Sequence, residues 1–254
     1  MRMDSNSCRV SRYGATVTGK SARIRSVRRN CMAVRNLVAV DPAVWRRAFW
    51  GNLRSARRAQ ARGALQKLRE IAPLIALVRR GSPAVVVEIG TAAGGTFYAW
   101  CQAARGDATV VSIDLPGGRF GGAERSAEVA TLRGYGRDRQ ELHFIRGDSH
   151  QLDTLDQLRA VLNGRAIDFL FIDGDHTYDG VRRDFEMYAP LVRRGCPIAF
   201  HDVVPHAQQP DCEVDRFWSE IKSRYRSVEF IDLVEGAEQY GGIGVLYWDG
   251  APTA

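Results

Sequence analysis

The sequence predicts an α/β protein with a doubly wound, mainly parallel sheet, an antiparallel hairpin at the C-terminal end and a helical extension at the N-terminal end. Two observations carry this. After Gly81-Ser82-Pro83, short β-branched or aromatic apolar runs alternate with longer amphipathic stretches, as strands alternate with helices. The runs are continuous rather than alternating, which suits strands buried on both faces, and the spacers are long enough for right-handed crossovers. At 254 residues, 45% hydrophobic and 26% charged, the chain can bury a sizeable core, which excludes disordered, collagen-like and disulfide-stapled classes.

The first 31 residues read as a basic, disordered leader. Residues 1–30 carry eight basic side chains and the single acid Asp4; removing these from totals of 36 and 29 leaves 28 of each, so the net charge of +7 belongs to the leader. It lacks a long apolar run, which excludes a secretory signal or a membrane span. An upstream extension before Met32, a transit segment and a polyanion tether remain alternatives, and a chain starting at Met32 is expected to fold. The cysteines, five in number and without a C-x-x-C pair, argue against a disulfide framework and for a cytoplasmic location.

Residues 32–80 read as a helical segment starting at Asp41-Pro42, with Pro73 expected to bend or divide it. A core-facing helix is the plain reading; a lid built on Trp45, Phe49 and Trp50 is the alternative. Residues 81–254 then form the main unit. Its strand runs are Ala84–Ile89, Thr109–Asp114, Leu142–Arg146, Ile167–Asp173 and Pro197–His201, with helices expected near 94–104, 123–138, 151–163, 178–193 and 211–224. Val228–Leu233 and Tyr240–Trp248 leave no room for a helix between them and read as a hairpin.

In an open α/β sheet ligands bind beyond the carboxyl ends of the strands, and here those ends are acidic. The first run closes with Glu88-Ile89-Gly90-Thr91-Ala92-Ala93-Gly94-Gly95-Thr96, a glycine-rich turn into a helix N-terminus. It is not G-x-G-x-x-G, since Ala92 replaces the second glycine, which disfavours a pyrophosphate. Asp114 closes the second run, where an acid can accept from both hydroxyls of a ribose, and Gly147-Asp148-Ser149 follows the third. Phe171-Ile172-Asp173-Gly174-Asp175-His176-Thr177-Tyr178 ends the fourth run and Phe200-His201-Asp202-Val203 the fifth. If those two strands are neighbours, their tips lie about 5 Å apart, close enough for Asp173 and Asp202 to share a cation, with Mg²⁺ or Mn²⁺ favoured over zinc. The plainer alternative is that Asp175 and Asp179 cap the next helix and His201 is a packed core residue.

These motifs resemble the class I S-adenosylmethionine-dependent methyltransferases, closest to the cephalosporin-hydroxylase-like, macrolide-sugar and rhamnosyl O-methyltransferase subgroup, over roughly residues 80–250. The resemblance implies a Rossmann-like seven-stranded sheet. Glu88, Gly90, Thr91, Ala92, Gly94 and Thr96 match the turn that holds the methionine part of S-adenosylmethionine. Asp114 matches the acid on the ribose, Asp148 with Ser149 the residues beside the adenine, and Asp173 a residue that lies against the cofactor and is the first metal ligand. His201 and Asp202 match the pair that completes a Mg²⁺ or Mn²⁺ site.

The chemistry expected is transfer of a methyl group from a sulfonium to a hydroxyl of a small molecule or sugar-bearing natural product. An alcohol needs its proton removed; His176 is the first choice of base and Asp175 the second. Alternatives are a metal-independent N- or O-methyltransferase and a nucleotide-binding oxidoreductase or binding module. The neutral body disfavours nucleic acid; the acceptor and any homo-oligomer stay open.

Overall fold

The computed structural model describes residues 42–118, 120, 127–232 and 240–250; the leader and the turn at 233–239 lie outside them. Two helices come first, α1 (Pro42–Gln60) and α2 (Leu68–Gly81). The helical segment thus divides at 61–67 rather than at Pro73, which lies inside α2. Backbone contact sets the division: a Cβ on Gly95 would overlap Ala64 N, so this connection is drawn tightly over the start of α3 (Gly95–Ala103). Glu70 then starts α2 by accepting from the Lys67 amide at 3.2 Å, as one arm of a capping box.

The sheet consists of β1 (Val85–Ile89), β2 (Thr109–Asp114), β3 (Glu141–Arg146), β4 (Phe169–Ile172), β5 (Pro197–His201), β6 (Arg226–Phe230) and β7 (Ile243–Tyr247). Their spatial order is β3-β2-β1-β4-β5-β7-β6. The first five are mutually parallel, and β7 pairs antiparallel with both β5 and β6. This is the doubly wound sheet with a C-terminal hairpin that the runs predicted, with β6 beginning two residues before Val228. The remaining helices are α4 (Val129–Arg133), α5 (Leu152–Leu162), α6 (Tyr178–Tyr188) and α7 (Val214–Ile221). Pro190 turns the end of α6 into a 3₁₀ turn, and α4 runs out at Gly134; the start of the helix expected from residue 123 lies outside the described residues.

The strands are buried on both faces, as their continuous apolar sequence requires. Val87, Ile113, Ile172 and Phe200 pack under α5, α6 and α7, whereas Val86, Val110, Phe169 and Phe171 pack under α1, α2 and α3. The result is a three-layer sandwich that leaves strand ends, rather than strand faces, available to a ligand. Among the described residues no helix is long and apolar enough to cross a membrane. Cys101 and Cys212 are free and buried, and Cys196 is disulfide-bonded.

Candidate active site

A cavity of about 320 Å³ opens over the carboxyl ends of β1, β2, β3 and β4. Its floor is the turn after β1. Gly90 has φ +84°, and a Cβ there would overlap the carbonyl oxygen of Asp173, so only glycine lets β1 and β4 end this close together. Asp114 ties the turn down: its Oδ1 accepts from the Thr91 and Ala92 amides at 3.0 and 3.1 Å. Its Oδ2 meets Arg146 Nη1 at 3.0 Å. Arg146, the last residue of β3, is a partner that sequence reasoning missed.

Thr91, Ala92, Thr96, Asp114, Asp148 and Ser149 all line this cavity, as do Gly90, Asp173, Asp175 and His176. Glu88 does not. It is fully buried behind the turn on the α3 side, where Trp100 Nε1 donates to its Oε1 at 2.8 Å. Burial raises its pKa to about 8 against the opposing hydrogen bonds from Thr96, Thr91 and Trp100. Gly94 also lies off the cavity, as the left-handed N-cap of α3 with φ +85°. Asp148 accepts from the His150 amide at 2.8 Å and from Gln151 Nε2 at 3.1 Å. Burial opposes its ionisation, but these bonds prevail and lower its pKa.

At the far end of the cavity the tips of β4 and β5 meet. The strands are neighbours in the register Ile172↔Phe200, so one step further Asp173 faces His201. Asp202 follows in the left-handed region at φ +59°, a conformation that costs about 1 kcal/mol for a non-glycine residue and is best tolerated by Asp and Asn. Departure from strand geometry lets consecutive residues share one cluster rather than point to opposite faces of the sheet. His201 Nδ1 is 3.3 Å from Asp173 Oδ1 and 3.2 Å from Asp202 Oδ2. His176 joins from the β4–α6 loop, 3.4 Å from Asp173 Oδ1 through Nε2 and 3.4 Å from Asp202 Oδ2 through Nδ1. Two carboxylates and two imidazoles therefore alternate.

The charges follow from this packing. Burial opposes a proton on His176, but Asp173, Cys212 and Asp202 outweigh it and lift its pKa to about 10. The same two carboxylates raise His201 well above its ordinary value despite its burial. Burial works against ionised Asp202 too, yet His201 and His176 hold it at about 2. Asp173, His201 and Asp202 offer ligand atoms within 4.8 Å of one another, and His201 Nε2 is buried without a hydrogen-bond partner. That donor set fits a divalent cation.

Asp175 is engaged elsewhere. Its Oδ1 accepts from the amide and hydroxyl of Thr177 at 2.9 and 2.8 Å, and Thr177 in turn caps α6 by accepting from the Gly180 amide. Phe120, from the glycine-rich loop after β2, stacks on the His176 ring with centroids 4.8 Å apart.

The N-terminal segment contributes a wall, through residues other than those expected of a lid. Phe49 packs on the core, Trp50 is 67% exposed, and neither lines the cavity; the side chain of Trp45 is outside the described ones. Gly63, Ala64, Leu65 and Gln66 line it instead. Gln66 Nε2 donates to Asp173 Oδ2 at 2.8 Å, and because that oxygen can only accept, the amide orientation is fixed. Gln66 Oε1 is left buried without a partner. A glutamine 107 positions from its partner carries no sequence signal of this role.

Residues 87–203 match the family model described as a methyltransferase domain. That stretch contains all five acids placed near the strand ends: Glu88, Asp114, Asp148, Asp173 and Asp202. The uncharacterized protein y4gI of Sinorhizobium fredii is 26% identical over 176 residues, which is 68% of this chain and 18% of that protein; the chain thus spans less than a fifth of this curated relative. Among solved structures, the fold is similar to TomG from Streptomyces achromogenes, an O-methyltransferase involved in tomaymycin synthesis and solved in complex with SAM. The TM-score is 0.52 at 24% identity, covering 85% of this chain and 93% of that one. Cofactor-bound Rv0187 from MTB is similar at a TM-score of 0.51 and 21% identity, covering 85% and 94%. At such identities these two likenesses speak for the fold alone. Residues 87–203 are thus similar to a methyltransferase domain, and they lie within a seven-stranded sheet whose fold is similar to that of TomG and Rv0187.

Proposed function

We propose that the protein transfers the methyl group of S-adenosylmethionine to a hydroxyl of a small molecule or sugar-bearing natural product, assisted by a divalent cation. One observation carries the reading: the cavity, walled by the β1 turn, Asp114 and Asp148, reaches Asp173 and His176, which ion-pair contacts join to His201 and Asp202 buried behind them. The carboxylates that rim it suit a sulfonium, ribose hydroxyls and an adenine amine. In the reaction the acceptor oxygen forms a bond to the methyl carbon as the carbon–sulfur bond breaks, leaving S-adenosylhomocysteine, and the hydroxyl proton passes to a base. Residues 81–254 form the catalytic unit in this reading, and Gly63–Gln66 close one side of it.

Asp173, His201 and Asp202 would hold Mg²⁺ or Mn²⁺, which when bound polarises the acceptor oxygen. His176 is the base best placed to take the proton, since Asp175 is occupied by Thr177. With both carboxylates uncompensated His176 keeps its own proton, so its service as a base requires their charge to be offset. Gln66 steadies Asp173, and Phe120 covers His176 against water.

One observation favours a metal-independent version of the same transfer: the two imidazoles already pair both carboxylates. Methyl transfer from labelled S-adenosylmethionine, measured with and without chelator, separates the two. Full activity in excess EDTA removes the cation from the reading. Calorimetry with S-adenosylhomocysteine and with NAD tests the cofactor, and binding of NAD alone would overturn it.

A further inference from the structure

We infer that His176, Asp202 and Cys212 form a second cation site, one that takes a thiol-seeking metal such as Zn²⁺ and competes with the first for Asp202. The ligand atoms of the three lie within 4.8 Å of one another. They come from three separate segments: the β4–α6 loop, the end of β5 and the loop before α7. His176 Nδ1, buried without a hydrogen-bond partner, stands 3.4 Å from Asp202 Oδ2.

The arrangement is built rather than incidental. The Glu213 amide, next to Cys212, donates to the His176 carbonyl at 2.8 Å, and the Cys212 amide donates to the Gln209 carbonyl at 2.9 Å. The thiol is thereby held beside the imidazole, and it is free and 6% exposed. Asp202 is aimed at the pair by its left-handed backbone.

Donor chemistry separates this site from the oxygen-rich one. Thiolate and imidazole select Zn²⁺ over Mg²⁺, and tetrahedral bonds of about 2.0–2.3 Å bring donors to roughly 3–4 Å from one another, a short contraction of the present cluster. Binding displaces the Cys212 proton to solvent. An occupied site withholds His176 and Asp202 from methyl transfer, so Zn²⁺ inhibits; this consequence rests on the proposed function, while the binding does not.

The full chain, stripped of metal, is titrated with Co²⁺ as a spectroscopic substitute for Zn²⁺. The expected result is a sulfur-to-cobalt charge-transfer band in the near ultraviolet, lost in Cys212→Ser, with Zn²⁺ affinity about 100-fold weaker in the variant. Circular dichroism checks that the variant is folded. A second measurement uses the unaltered protein: Zn²⁺, but not Mg²⁺, slows alkylation of Cys212, read on its own peptide by mass spectrometry. A band that persists in Cys212→Ser, or an alkylation rate indifferent to Zn²⁺, overturns the inference. Neither readout involves methyl transfer, so failure of the proposed function leaves both intact; inhibition is then read as the ratio of rates with and without Zn²⁺ within each variant.

Discussion

Replacing Glu88 by Gln tests the charge logic behind the glycine turn directly. Glu88 is fully buried, accepts from Trp100 Nε1 at 2.8 Å, and has its pKa raised from 4.5 to about 8 chiefly by burial. A carboxyl whose folded pKa lies above its unfolded value stabilises the fold fully below pH 4.5. Between 4.5 and about 8 the unfolded chain ionises while the folded chain stays protonated, so the contribution is lost as pH rises through that window. At 1.36 kcal/mol per pH unit the loss amounts to about 5 kcal/mol, a large part of the stability of an ordinary domain. Gln has the shape of the protonated acid, can keep the Trp100 bond through its carbonyl, and does not titrate. Urea unfolding of ligand-free wild type and Glu88→Gln from pH 5 to 9 gives the difference curve, in which the titrations of His176 and His201 cancel. The variant is expected to gain on wild type by several kcal/mol across the window. Parallel pH profiles would refute the assignment of a buried, protonated carboxyl.

Gly90→Ala puts a Cβ against the Asp173 carbonyl at a positive φ, so we expect a loss of about 2–4 kcal/mol in thermal unfolding and weakened S-adenosylhomocysteine binding; unchanged binding would detach the turn from the cofactor. Gln66→Leu removes the donor to Asp173 Oδ2 while keeping the volume, and should raise KM for the methyl donor or acceptor about 10-fold with little change in the melting midpoint. Kinetics identical to wild type would make Gln66 a wall residue only. Arg146→Met takes away the guanidinium that meets Asp114 Oδ2 at 3.0 Å and should weaken S-adenosylhomocysteine binding several-fold, by about 1 kcal/mol, as measured by calorimetry.

Much of the fold was legible because strands buried on both faces must be apolar without interruption, and such runs end abruptly. Their ends therefore marked the sheet edge, and the acids standing there, Asp114, Asp148, Asp173 and Asp202, could be named as a group. The contributions of the N-terminal segment were not legible. Its aromatic residues drew attention, but the cavity wall is Gly63–Gln66, set by the close approach of Ala64 to Gly95. Glu88 was legible as part of the turn but not as a residue behind it, because its side of the strand depends on which face α3 covers.

Residue types and spacing were enough to specify the α/β alternation, the glycine turn and the acidic strand tips, since each depends on local periodicity and on short-range backbone needs. Charge state and partnership were settled by packing. Asp173 meets Gln66 across 107 positions, and His176 meets Asp202 only because β4 and β5 are neighbours and residue 202 turns left-handed. An imidazole read from sequence titrates near neutrality; the same ring between two buried carboxylates holds its proton to about pH 10. Coulombic interaction at 3–4 Å in a weakly screening interior is a property of assembled neighbours, and no linear spacing encodes it.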